Sequence, residues 1–182
     1  MSDYRRARIP GGTYFFTLVT YARRHFLTDP RCQTILADVI REVQLVHPFA
    51  VNAWVYLPEH WHCIWTLPVG DTDYSKRWGL IKVKFSRQAK LFLQEEGLCE
   101  EAAFPHGPVA IWQKRFWEHV IRDDIDFRKH LDYIHYNPVK HGYVERVESW
   151  PYSSFHDYVA QGMYDDDWGV DESMADSQAF GE

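Results

Sequence analysis

In the stretch Leu57-Pro58-Glu59-His60-Trp61-His62-Cys63-Ile64, two histidines flank a tryptophan inside a run that reads as a β-strand. Alternate side chains on a strand point the same way, so His60 and His62 project from one face and Trp61 and Cys63 from the other. A chain with this strand is committed to a sheet, with Cys63 as a small buried hydrophobe on one side and two imidazoles on the other. Two imidazoles side by side on a rigid sheet are half of a divalent-metal site. Taken alone, the pair is equally readable as two histidines that only hydrogen-bond or lie exposed in a hairpin.

The rest of the chain surrounds that strand with alternating elements. Gly11-Gly12 signals a turn, and Thr13 to Tyr21 is a strand rich in Thr, Tyr, Phe and Val. Asp29 caps a helix with Pro30 at its first position, and Ile35, Val39, Val43 and Val46 continue it to about His47. Phe49 to Tyr56 and His60 to Leu67 are expected to pair as a hairpin. Asp71 to Asp73 caps a longer helix to about Glu96, with Tyr74, Trp78, Ile81, Phe85, Ala89 and Phe92 as a buried stripe. Short strands are read at Val109–Gln113 and Phe116–Ile121. A last helix from Asp123-Asp124 carries Phe127, Leu131 and Ile134, and Pro138 is expected to end it near Asn137. Trp150 to Met163 packs back on the body. The order strand, helix, strand, strand, helix, strand, helix predicts an α+β fold, a ferredoxin-like sandwich with an antiparallel sheet and helices packed on one face.

At 182 residues the chain fits one domain, read as residues 1–163, followed by an acidic and disordered tail, 164–182. The net charge of −6 divides unevenly. The seven acids of 164–182 leave 19 acids against 20 bases in the body, so any nucleic-acid role must rest on local basic patches. Three widely spaced cysteines in no CxxC pattern argue against a disulfide framework and for a reducing compartment. No signal-peptide pattern and no run of 18 apolar residues is present, which predicts a cytoplasmic protein that does not span a membrane.

The other half of the site is read from the last helix, Leu131 to Lys140. Tyr133 and Asn137 are four apart and share a face. A phenol becomes a nucleophile once a nearby cation stabilises its phenoxide. An amide oxygen one turn on is a hard, neutral ligand. With His60 and His62 it suits Mg²⁺ or Mn²⁺ bound together with a phosphate, whereas structural zinc would want a fourth strong ligand. His135 falls too far around the helix to serve Tyr133 and is read as structural.

These blocks carry a resemblance. Leu57-Pro58-Glu59-His60-Trp61-His62 is similar to the HxH segment of the HUH single-strand transposases. Trp112-Gln113-Lys114-Arg115-Phe116-Trp117 and Tyr133-Ile134-His135-Tyr136-Asn137-Pro138-Val139-Lys140-His141-Gly142 resemble later blocks of one branch, the REP-associated tyrosine transposases. The joint pattern spans roughly residues 5–160. It implies Tyr133 as nucleophile and His60, His62 and Asn137 as metal ligands, Asn standing where insertion-sequence relatives tend to carry Gln. The implied substrate is single-stranded DNA beside an imperfect, REP-like hairpin, cut with a Mg²⁺ or Mn²⁺ cofactor to a 5′-phosphotyrosine and a free 3′-hydroxyl that can attack back. The implied setting is the cytoplasm, at the nucleoid, and the implied unit is a monomer, with a helix-exchanged dimer as the alternative. DNA grip is expected from Arg5, Arg6 and Arg8 and from Lys76, Arg77, Lys84 and Arg87. The acidic tail, outside the resemblance, is either a solubilising end or a brake on DNA binding.

Two other functions fit parts of the pattern. A hairpin-binding module that has lost catalysis has no chemical need for all four site residues. A hydrolase with a water nucleophile needs an acidic ligand, and Glu59, though adjacent, faces away from the His pair by strand parity.

Overall fold

The computed structural model describes residues 6–98 and 111–170. Within them lie β1 (Thr13–Val19), α1 (Pro30–Val46), β2 (Ala50–Tyr56), β3 (His60–Thr66), α2 (Tyr74–Glu95), β4 (Trp117–Val120), α3 (Asp124–Lys140) and α4 (Phe155–Ala160). The four strands form one sheet in the order β2-β3-β1-β4, and all three pairings are antiparallel. This is the expected ferredoxin-like arrangement. Of the segment 109–113, only residues 111–113 are described, and Trp112 bridges Thr20 there.

Strand parity divides the core in two. Tyr14, Phe16, Trp61, Cys63 and Trp65 face α1 and α2, where Leu36, Val39, Trp78 and Phe85 meet them. The Trp65 and Trp78 rings stack at 3.8 Å. Phe15, Val55 and Ile64 point the other way and pack on Leu131, Tyr133 and Ile134 of α3 and Phe155 of α4. Helices therefore cover one face as expected, and the other face is covered too, by the helix that carries Tyr133. In β2 the register shifts between Val51 and Ala53, and the shift puts Val51 with the first cluster and Ala53 with the second.

Capping follows the sequence closely. Asp29, Asp73 and Asp123 each accept a backbone N–H of the first turn of α1, α2 and α3. The end of α3 differs from expectation: the helix continues through Pro138 to Lys140. A proline in a helix interior costs about 3 kcal/mol. Here it falls in the last turn, its ring is buried, and the ladder resumes at once with His141 N–H donating to the Asn137 carbonyl at 3.0 Å. Asn137 thereby keeps its helical place one turn beyond Tyr133.

The packed body also passes the expected boundary at residue 163. Tyr164 is buried against Phe155, its hydroxyl 2.5 Å from Asp132 Oδ1, and the Trp168 ring lies 4.5 Å from that of Tyr164. Two aromatics in an acidic segment are enough to draw its first part onto the core. The expectation for 171–182 lies outside the described residues.

Candidate active site

β3 begins at His60, and its register builds the site. Thr17 of β1 and Val55 of β2 are the cross-strand neighbours of His62. Thr17 Oγ1 lies 2.9 Å from His62 Nδ1. His62 Nε2 is buried and has no hydrogen-bond partner among the described residues. Burial holds this imidazole well below its usual pKa, and nearby His60, His141 and Lys140 add to the effect, so His62 is neutral.

His60 is gripped from both sides. Its Nδ1 is 2.9 Å from Glu59 Oε1, and its Nε2 is 3.3 Å from Asn137 Oδ1. Glu59 corrects the parity argument. It sits in the turn before β3, where strand alternation does not apply, and its carboxylate folds back onto His60. The Tyr143 hydroxyl donates to the other oxygen at 3.0 Å, and Arg23 and His25 each lie 3.8 Å from the carboxylate. Burial works against the Glu59 charge, but these partners, His60 above all, hold its pKa down at about 2. An ionised carboxylate accepts from Nδ1–H, and when the ring carries only that proton its Nε2 is an acceptor facing another acceptor, Asn137 Oδ1. Such a contact calls for a proton or a cation between them.

α3 supplies the rest. The Tyr133 ring meets His62 edge to face at 5.3 Å, and Phe15 packs on both, 5.4 Å from His62 and 5.9 Å from Tyr133. Lys140, two turns beyond Tyr133, holds its Nζ 4.9 Å over the phenol ring. Tyr133 is 1% exposed, so a substrate would reach it only after a local opening. The four residues read from sequence, His60, His62, Tyr133 and Asn137, are thus brought together within one chain. The two imidazole rings lie 4.8 Å apart, His62 Nε2 is without a partner among the described residues, and His60 Nε2 faces the Asn137 amide oxygen. An unmet buried polar group costs about 1–3 kcal/mol. The donor set fits a divalent ion.

The basic residues fare differently. Arg5 lies outside the described residues. Arg6 stacks on Phe116 at 4.0 Å and donates to Ser75 Oγ, while Arg8 is exposed. Arg77 does not belong to a DNA-facing set: it is 3% exposed, and its guanidinium forks onto Asp71 and the carbonyls of His47, Pro48 and Asp73. Lys84 pairs with Glu42 at 2.8 Å, and Lys76 and Arg87 are exposed. All four belong to α2, which covers the sheet face opposite the His pair. His135, as expected, is structural, its Nε2 3.0 Å from Ser154 Oγ and its ring among Phe155, Tyr158 and Tyr164. Thr17 and Lys140 are not among the site residues read from sequence, and Glu59 is read there as facing away. For Lys140 a signal existed, because a spacing of seven repeats the face of Tyr133.

No family model matches this sequence. A REP-associated tyrosine transposase of Escherichia coli K12 is 48% identical over 171 residues, covering 94% of this chain and 93% of its own length. A Haemophilus influenzae chain bearing the same family name is 44% identical over 176 residues, 93% and 94% of the two chains. A solved structure of a REP-associated tyrosine transposase bound to a REP hairpin superposes with a TM-score of 0.79 at 45% identity, over 100% of both chains.

Proposed function

This chain belongs to the REP-associated tyrosine transposases, and on that premise we propose that it nicks and rejoins single-stranded DNA beside REP-type hairpins, with Tyr133 as nucleophile. The observation that carries the reading is the edge contact of Tyr133 with His62 while Asn137 of the same helix meets His60. The relative that superposes over the whole chain is bound to a REP hairpin, which supports hairpin DNA as the partner. Because one chain contributes all four residues, a monomer suffices. The setting that follows is the cytoplasm, at the nucleoid. No helix of the described residues is long and apolar enough to cross a membrane.

His60, His62 and Asn137 would hold Mg²⁺ or Mn²⁺. When bound, the ion supplies Lewis-acid charge at a non-bridging oxygen of the scissile phosphate. Tyr133 Oη attacks phosphorus, the bond to the 3′-oxygen breaks, and the phenolic proton is lost as the 3′-oxygen gains one. The products are a 5′-phosphotyrosine and a free 3′-hydroxyl. Lys140 positions and neutralises the developing phenoxide from above the ring. The phosphodiester energy is kept in the tyrosyl ester, so return attack by a 3′-hydroxyl rejoins strands without ATP. Glu59 fixes the ring plane of His60 and raises its basicity as a ligand.

Incubating the protein with a single-stranded REP hairpin oligonucleotide and Mn²⁺ should give a denaturant-resistant protein–DNA adduct, abolished by EDTA. Tight hairpin binding with no adduct in any divalent metal would return the binding-only reading. Glu59→Gln should weaken Mn²⁺ binding about 10–100-fold, as losses of outer carboxylates behind metal-bound histidines do. An unchanged Mn²⁺ affinity, read by titration calorimetry, would remove Glu59 from this role.

A further inference from the structure

Among the described residues, one group of metal-ligating side chains stands apart from the site above: His119 on β4, and Asp126 and His130 on α3. One ligand atom of each lies within 4.8 Å of the others. We propose that His119, Asp126 and His130 form a second cation site, for a Zn²⁺-type dication, which ties the nucleophile's helix to the edge strand of the sheet.

The three groups already lie in contact. Asp126 and His130 are four apart on α3 and share a face. The Asp126 carboxylate stands between the imidazoles, with Oδ2 2.9 Å from His119 Nε2 and Oδ1 3.2 Å from His130 Nδ1. His130 Nδ1 is also 2.8 Å from the Asp126 carbonyl oxygen. Arg122 holds Oδ2 from outside through its backbone N–H at 3.0 Å and its Nε at 3.1 Å. The two imidazole rings lie face to face, 4.5 Å apart and 17° from parallel. Two protonated rings repel at that distance, and one ring turns on binding so that both in-plane nitrogen lone pairs meet a single dication.

For His130 and Asp126 the directions agree with ligation. Burial, chiefly, lowers the His130 pKa, and bonds from His119 and Arg122 overcome the cost of burial to keep Asp126 ionised. Ligation needs neutral imidazole and ionised carboxylate. The His119 side chain is 26% exposed, against 7% for Asp126 and 0% for His130, so ions enter past His119 and a coordination position stays open to solvent. Two nitrogens and one carboxylate oxygen suit zinc-like ions, while Mg²⁺ prefers oxygen donors and keeps its water.

Position gives it a use. His130 precedes Tyr133 by one turn, and Phe15 touches His130 at 5.0 Å as well as His62 and Tyr133. A cation here fixes the N-terminal half of α3 to β4 and limits the opening that exposes Tyr133.

Cobalt(II) is the probe, because its visible absorption reports ligand number and geometry. A His60→Ala/His62→Ala chain should still bind one Co²⁺ with visible bands. Adding His119→Gln, a half-exposed change that opens no core cavity, should weaken that binding at least about tenfold, as loss of one of three protein ligands. If the paired substitution unfolds the chain, the wild type should bind two Co²⁺ and His119→Gln one. Zn²⁺ should raise the Tm of the His60→Ala/His62→Ala chain by a few degrees and leave the same chain with His119→Gln unmoved. No Co²⁺ on the His60/His62 variant, or binding indifferent to His119→Gln, overturns the proposal.

Discussion

A Tyr133→Phe chain should bind the hairpin as tightly as the wild type and form no DNA adduct, with cleavage reduced at least about 10⁴-fold. Removal of a covalent nucleophile deletes the step itself, and losses of that size or larger are usual. The variant is a clean test because phenylalanine loses only the hydroxyl. The ring contacts with Phe15 and His62, and the place of Lys140 over the ring, do not depend on it. Fold stability should change by no more than about 1 kcal/mol, the net worth of one hydrogen bond. Adduct formation is read on denaturing gels, and hairpin affinity by anisotropy in the same buffer. A variant that still forms the adduct would move the nucleophile elsewhere. One that cleaves at a normal rate without an adduct would install water as nucleophile, and the HxH pair would then belong to a hydrolase.

What the sequence disclosed and what it hid divide along a physical line. Local chemistry was readable: the capping aspartates, the alternation that separates His60 and His62 from Cys63, the helical spacing that aligns Tyr133 with Asn137. Each depends on residues a few positions apart. Partners set by register or by chain return were not readable. Thr17 reaches His62 only because β1 pairs with β3 in one particular register. Tyr143 reaches Glu59 across a separation of 84 residues. Glu59 was misjudged because a period-two rule was carried one residue too far, into a turn. His119 meets His130 through the docking of α3 on the edge strand. A helical wheel also ranks Arg77 with its basic neighbours, and it cannot see that loop carbonyls wait for that one guanidinium.

Arg77→Ala follows from this last point. It should destabilise the fold by about 2–4 kcal/mol and leave hairpin affinity unchanged. The guanidinium satisfies the His47 carbonyl at 3.2 Å, the Pro48 carbonyl at 2.7 Å, the Asp73 carbonyl at 2.9 Å and both oxygens of Asp71. It thus ties the end of α1 to the start of α2. Charge-assisted bonds of this kind are worth more than neutral ones, and removal of one partner strands the others. The expected loss reaches below the about 3–5 kcal/mol usual for a broken buried pair because the Asp71 side chain is 32% exposed and regains water. For a chain of this length, that loss lowers Tm by roughly 5–12 °C. The pH dependence has a definite sign. The bond from Arg77 is the main reason the Asp71 pKa is lowered in the folded state. The contribution is therefore fully present above the ordinary carboxylate value, near about 4, and is lost as pH falls through the lowered one. The Tm gap between wild type and variant should accordingly be full at pH 7 and narrow below about pH 4. Arg8→Ala makes the contrast: Arg8 is exposed, so its loss should leave Tm alone and, if Arg8 meets a phosphate, reduce the salt slope of hairpin binding by about one. An Arg77→Ala chain with wild-type Tm and a reduced salt slope would put Arg77 back on the DNA.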